Sequence, residues 1–146
     1  QARQYVKTIL QVYNTYHSLV VTVFQNRPDF MKEFDQACQQ FINNNSVTAQ
    51  ASNATKSVSL LAHYCNCLLR KGAKNLEEIE LQQLLDQALI VFEYIEDKDV
   101  FAKIYANLLS KRLVWDASTG DDAEASMISR LKVRLVLPAY VHCTGC

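Results

Sequence analysis

The chain has 146 residues, 49% of them hydrophobic, which fits one domain or the pieces of two small ones and is enough for a sizeable core. Its 15 basic and 15 acidic side chains cancel to a formal charge of zero, so no global field draws it to nucleic acid or an acidic membrane surface. No apolar run reaches the length of a membrane span, and no signal-peptide pattern stands at the N-terminus.

Three glycines and two prolines are few breakers for this length, and long helices are expected. Because it begins at Gln1, the chain reads as a fragment or a processed product. Of the five cysteines, Cys38, Cys65 and Cys67 fall inside apolar helical patterns, where a reduced thiol acts as a small hydrophobe. A cytoplasmic and nuclear localisation is the matching expectation.

Tyr5, Ile9, Val12, Tyr16, Leu19 and Val23 recur at steps of three and four and predict a helix over about 2–25. Asn26 and Pro28 interrupt it, with Pro28 suited to a first helical turn. Phe30, Phe34, Ala37, Cys38, Phe41 and Ile42 mark a second helix, which Asn43-Asn44-Asn45 is expected to stop by adopting left-handed backbone. Residues 46–56, SVTAQASNATK, are small and polar and read as a linker at a domain boundary.

Four more helices follow. Ser57 can cap one with a stripe of Leu60, Leu61, Tyr64, Cys65, Leu68 and Leu69, and Gly72 suits its C-terminal cap. Asn75 and Glu78 have capping-box spacing ahead of Leu81, Leu84, Leu85, Ala88, Leu89 and Phe92. Asp97 can cap a third stripe of Val100, Phe101, Ile104, Tyr105, Leu108 and Leu109. Asp121 and Glu124 open the last helix, through Ala125, Ile128 and Leu131. Each stripe needs a neighbour and the connections are short, so the fold class is all-α, an antiparallel helical bundle.

Candidate sites have simple structural readings. Glu96, Asp97 and Asp99 resemble paired carboxylates for acid–base work, but they also sit where a helix start favours negative charge. Lys98 is their local counter-charge, and Lys111 and Arg112 meet the opposite pole of the same helix. His142, Cys143 and Cys146, with Cys65 and Cys67, have metal-ligand chemistry, yet C-x-C on a helix points its thiols to different sides. His63 and Cys65 are two apart on a helix and do not face each other; His17 reads as a hydrogen-bonded or partly exposed histidine. Arg70, Lys71 and Lys74 form a basic cluster that suits a helix C-terminus, with an acidic partner as the functional alternative. Leu135, Val136, Leu137, Tyr140 and Val141 form a short apolar run that packs on the bundle, forms a strand or stays exposed. No residue is assigned as catalytic, cofactor-binding or metal-ligating, and no cofactor is expected.

Several of these stretches together resemble the cullin family. They are Ile95-Glu96-Asp97-Lys98-Asp99-Val100-Phe101 with Tyr105, Leu109, Arg112 and Leu113; FINNN at 41–45; LLAHYCNCLLRK at 60–71; and DDAEASMISRLK at 121–132. Their order and spacing are similar to the family over about residues 4–132, closest to the branch that scaffolds SCF-type ubiquitin ligases. The resemblance implies that 1–50 are the C-terminal helices of a cullin repeat. It implies that 51–132 start the cullin homology domain as a helical bundle, and that 133–146 are a divergent tail. It implies a non-catalytic scaffold segment linking substrate-adaptor and RING-binding ends, with both docks outside this stretch. The alternative is a truncated helical interaction module that binds a partner or regulator of the full-length scaffold. Protein partners are implied in either case, with no nucleic acid and no membrane.

Overall fold

The computed structural model describes residues 1–53, 55–72 and 76–136. These residues form seven α-helices and no strand; two residues, Arg70 and Ser118, make an isolated antiparallel bridge. The helices are α1 (Ala2–Thr22), α2 (Pro28–Asn43), α3 (Ser46–Gln50), α4 (Lys56–Leu69), α5 (Glu78–Tyr94), α6 (Lys98–Val114) and α7 (Asp121–Val136). The fold is all-α, as the stripes require.

The last four helices form an up-down-up-down bundle. The C-terminal ends of α4 and α6 meet, because Lys71 N–H donates to the Ala117 carbonyl at 2.7 Å and Thr119 N–H to that of Leu69 at 2.9 Å. The two helices therefore run the same way and pack on each other, and α5 runs back against α4. Arg130 and Arg134 of α7 reach Asp86 and Glu93 of α5 in matching order, so α7 runs with α5. In front of this bundle, α1 packs on α4, α2 and α5, and α2 on α5. One apolar cluster spans the whole, from Val6 and Ile9 through Cys38, Leu61, Leu85, Phe92 and Phe101 to Met127 and Leu131.

The α4 and α5 stripes are buried as expected, apart from the half-buried Leu84. In α6, Phe101 and Tyr105 are buried while Val100, Ile104, Leu108 and Leu109 are half-buried. The stripe of α1 is displaced. Its buried face is Val6, Ile9, Leu10 and Val20, with Tyr13, His17 and Phe24 half-buried; Val12, Tyr16, Leu19 and Val23 lie exposed on the other side. Two apolar stripes share this helix, and periodicity alone does not rank them. In α7 the buried apolar residues are Met127 and Leu131, and Ala125 is exposed.

The ends differ more. Residues 46–50, expected in a linker, form α3, because Asn45 and Thr48 make a capping box: Asn45 Oδ1 accepts from the Val47 and Thr48 N–H groups, and Thr48 Oγ1 accepts from Asn45 N–H. None of Asn43, Asn44 and Asn45 is left-handed; Asn44 is extended, and the left-handed residues after α1 are Gln25 and Asn26. Ser57 lies inside α4 and does not cap it. Gly72 has φ +78°, but α4 ends three residues earlier, where Arg70 turns extended to pair with Ser118. Glu77 stands at the N-cap of α5, and the predicted cap Asn75 lies outside the described residues. Asp97 occupies the N-cap of α6 without a side-chain capping bond.

Candidate functional site

The polar residues brought together from different helices are buried staples. The largest joins α4, α6, α7 and the α6–α7 loop. Arg112 is 2% exposed and Glu124 is 4% exposed. The guanidinium grips the carboxylate with both prongs, Nε to Oε1 at 2.8 Å and Nη2 to Oε2 at 2.9 Å. Its Nη1 donates to Asn66 Oδ1 at 2.7 Å, and Ser118 Oγ–H donates to Glu124 Oε1 at 2.8 Å. Tyr105 lies alongside, its ring centroid 5.5 Å from the Arg112 guanidinium carbon. Its hydroxyl is buried without a hydrogen-bond partner among the described residues. Burial opposes the Arg112 charge, but the hydrogen bond and charge of Glu124 outweigh it and raise the pKa. Burial first, then Glu124, pushes the Tyr105 phenol up.

FINNN builds the second junction. Asn43 Nδ2 donates to the carbonyls of Gln39 and Tyr94, both at 2.7 Å, and Asn43 Oδ1 accepts from Glu96 N–H at 3.2 Å. One amide thereby ties the end of α2 to the α5–α6 corner. Tyr94 Oη–H donates to Asp35 Oδ1 at 2.7 Å across the same contact. Burial, the Asp35 bond and the Asp35 charge together raise the Tyr94 pKa far above its ordinary value. Asn45, while capping α3, donates through Nδ2 to Tyr5 Oη at 2.8 Å, and Tyr5 Oη shares a hydrogen bond with Ser57 Oγ of α4. The motif therefore joins all of α1 to α5 and reaches the start of α6.

The sequence candidates fall into place around these staples. Glu96, Asp97 and Asp99 are exposed at the start of α6, and no histidine or cysteine pairs with them among the described residues. Lys98 is not their counter-charge. Its Nζ donates to the carbonyls of Ile95 at 2.7 Å and Glu93 at 3.0 Å, closing the C-terminal end of α5. Desolvation there lowers the Lys98 pKa. Lys71 pairs with Asp116 at 2.8 Å, and Lys74 lies outside the described residues. His17 stacks on Tyr13, and His63 Nδ1 meets its own helix at the Ser59 carbonyl. Cys65 is buried, its thiol pushed up to about 12 by burial, while Cys67 is exposed. Among the described residues no three His, Cys, Asp or Glu side chains could hold a metal ion. His142, Cys143 and Cys146 lie outside them, as do Leu137, Tyr140 and Val141.

Sequence reasoning placed Arg112 and Glu124 at helix ends and missed their pairing. The available signal was positional. Arg112 continues the Phe101–Tyr105 stripe, and Glu124 begins the Met127–Leu131 stripe, so opposite charges stand on two inward faces.

Residues 1–136 match the cullin α-solenoid domain. The chain belongs to the cullin family. It is 49% identical over 134 residues to Cullin-1 of Caenorhabditis elegans, an alignment covering 90% of this chain and 17% of that protein. Cullin-1 of Dictyostelium discoideum is 44% identical over 132 residues, again 90% of this chain and 17% of the relative. Cullin-1 of Schizosaccharomyces pombe is 40% identical over 130 residues, 89% of this chain and 17% of the relative. The cullin chain thus spans about a sixth of the length of these relatives. Among its described residues, no helix is long and apolar enough to cross a membrane.

Proposed function

We propose that the chain is a non-catalytic strut segment of an SCF-type cullin scaffold, holding the substrate-adaptor and RING-binding ends of a ubiquitin ligase at a fixed separation. The observation that carries this reading is the stapling of helix junctions by buried side chains, Arg112–Glu124 at one and Asn43 at another. A spacer works by orienting reactants, and orientation lowers barriers only when the frame is stiff. The exposed carboxylates at 96–99 support a structural role, since acid–base work needs a second group and a pocket beside them. The partners are then proteins, the adaptor and the RING protein of the whole scaffold, acting in the cytoplasm and nucleus. In this reading residues 1–50 close a cullin repeat and 51–132 open the cullin homology bundle, both sharing one core.

The test is a chimera. Residues 4–132 replace the matching stretch of Caenorhabditis elegans Cullin-1, and substrate ubiquitination is measured with the adaptor and RING partner bound. Transfer at the parent's rate is expected. A glycine-serine insertion between Ser52 and Asn53 is expected to keep both partners bound and slow transfer. A chimera that transfers equally well with and without the insertion contradicts the strut.

A second reading, an interaction module that captures a regulator of the full-length scaffold, draws on the exposed side of α1, where Tyr16, Leu19 and Val23 stand in solvent. Pulldown of a purified cullin regulator by the isolated chain, lost in Leu19→Glu, is its expected signature.

A further inference from the structure

We infer that the last turn of α7 is a charge-latched hinge, held to α5 by Arg134 rather than by apolar packing, so that ionic strength sets how firmly it stays docked. The first part of α7 is anchored in the core by Glu124, Met127 and Leu131, all buried. Past Leu131 the described residues bury no apolar side chain: Val133, Leu135 and Val136 are all exposed. What remains past Leu131 is the polar contact of Arg134, with Arg130 making a second one just on the anchored side. Arg130 pairs with Asp86 and donates through Nη2 to Gln82 Oε1 at 2.9 Å. Arg134 Nε pairs with Glu93 Oε1 at 3.1 Å, and its Nη1 reaches back to the Arg130 carbonyl at 3.4 Å.

These contacts are partly exposed, unlike the Arg112–Glu124 pair at the other end of the helix. Solvent screens exposed pairs strongly and buried pairs weakly. Undocking the last turn uncovers little apolar surface, so its cost is mostly the latch and a few helical hydrogen bonds. α7 therefore has a fixed end and a releasable end. The existence of the latch does not depend on the scaffold reading.

The experiment is amide hydrogen exchange across α7 in the whole chain, at about 0.05 M and about 1 M KCl. Screening the Arg134–Glu93 pair is expected to lower the protection of residues 133–136 by about 2- to 5-fold. Amides of residues 127–131 and of α5 are expected to change less than about twofold. The variant Asp86→Asn/Glu93→Gln is expected to show the high-salt exchange already at low salt and to lose most of the salt response. Ordinary fraying of a helix end has no such dependence on two carboxylates of another helix. Salt-independent exchange at 133–136, an undiminished salt response in the variant, or an equal shift across the whole of α7 would each overturn the hinge.

Discussion

α4 and α7 are both amphipathic helices of one bundle, but different forces hold them. α4 buries nine of its fourteen residues and packs on α1, α3, α5 and α6, so little of it faces water. α7 buries three of sixteen, with Ala123 and Ile128 half-buried against the core, and past Leu131 its contact to α5 runs through Arg134. Apolar burial is not weakened by charge screening, whereas exposed ion pairs are. Charge that is buried and fully paired behaves differently again. Arg112 and Glu124 lock the start of α7 because each would be costly to leave alone.

The strongest way to break this contrast is at the lock. Arg112→Met leaves Glu124 buried without its partner and is expected to cost about 3–5 kcal/mol, while Arg112→Met/Glu124→Met recovers most of the loss. Urea denaturation of the three proteins measures both. A double variant no better than the single would show that the pair does more than satisfy itself. Phe101→Ala, in the apolar seam beside Phe92, is expected to cost a similar ~3–5 kcal/mol. That equality is the point of comparison, because only the Arg112 loss can be rescued by a second change.

Next in size is the asparagine staple. Asn43→Ala strips the partners from Glu96 N–H and from the Tyr94 carbonyl, and about 1–3 kcal/mol is expected. Asn44→Ala, one residue on and exposed, is expected to stay within about 0.5 kcal/mol. Equal melting temperatures for the two variants would remove the staple from the account.

Alkaline pH sharpens the contrast at the core. Burial raises the Cys38 and Cys65 thiols from 9.0 to about 12. The folded state therefore holds protons that the unfolded chain gives up, and stability falls as pH rises. The contribution of these thiols is fully present below pH 9 and is lost progressively towards pH 12. One pH unit above 9.0, about 1.4 kcal/mol per thiol is expected to be gone. The half-buried Tyr94 and buried Tyr105 phenols act in the same direction, and Lys98, whose pKa is lowered, acts against it. Melting from pH 8 to 10 is expected to drop less steeply in Cys38→Ala relative to its own value at pH 8.

The smallest expected effect is at the carboxylates that first suggested catalysis. Asp97→Ala removes no capping bond and is expected to cost less than about 0.5 kcal/mol, measured by thermal melting. A loss above 1.5 kcal/mol would mean that this residue carries more than a favourable charge at a helix start.

Much of this was legible in the residues. The stripes of α4 and α5 follow from leucine spacing, since apolar residues at steps of three and four have one physical use in a soluble helix. The all-α class followed from the same pattern and from the scarcity of breakers. In α1 the sequence points to the wrong face, because Tyr16, Leu19 and Val23 form as regular a stripe as the buried one, and burial depends on which neighbour is present. α3 is invisible to periodicity because its residues are small and polar, and only the Asn45–Thr48 box marks its start. The staples were hidden for a related reason. FINNN and the arginine of the central signature were visible as words, but an asparagine that ends a helix and one that ties two others look alike in one dimension. Lys98 illustrates this: its neighbours in sequence are acids, yet its partners in space are carbonyls.

Residues 1–50 and 56–132 are expected to melt as one stiff unit, because a single apolar cluster and the Asn43 and Asn45 staples cross between them. Scanning calorimetry of the chain tests this most directly. One transition is predicted, with calorimetric and van't Hoff enthalpies equal within error. Two resolved transitions, with Asn43→Ala moving only the one that belongs to the front helices, would contradict it.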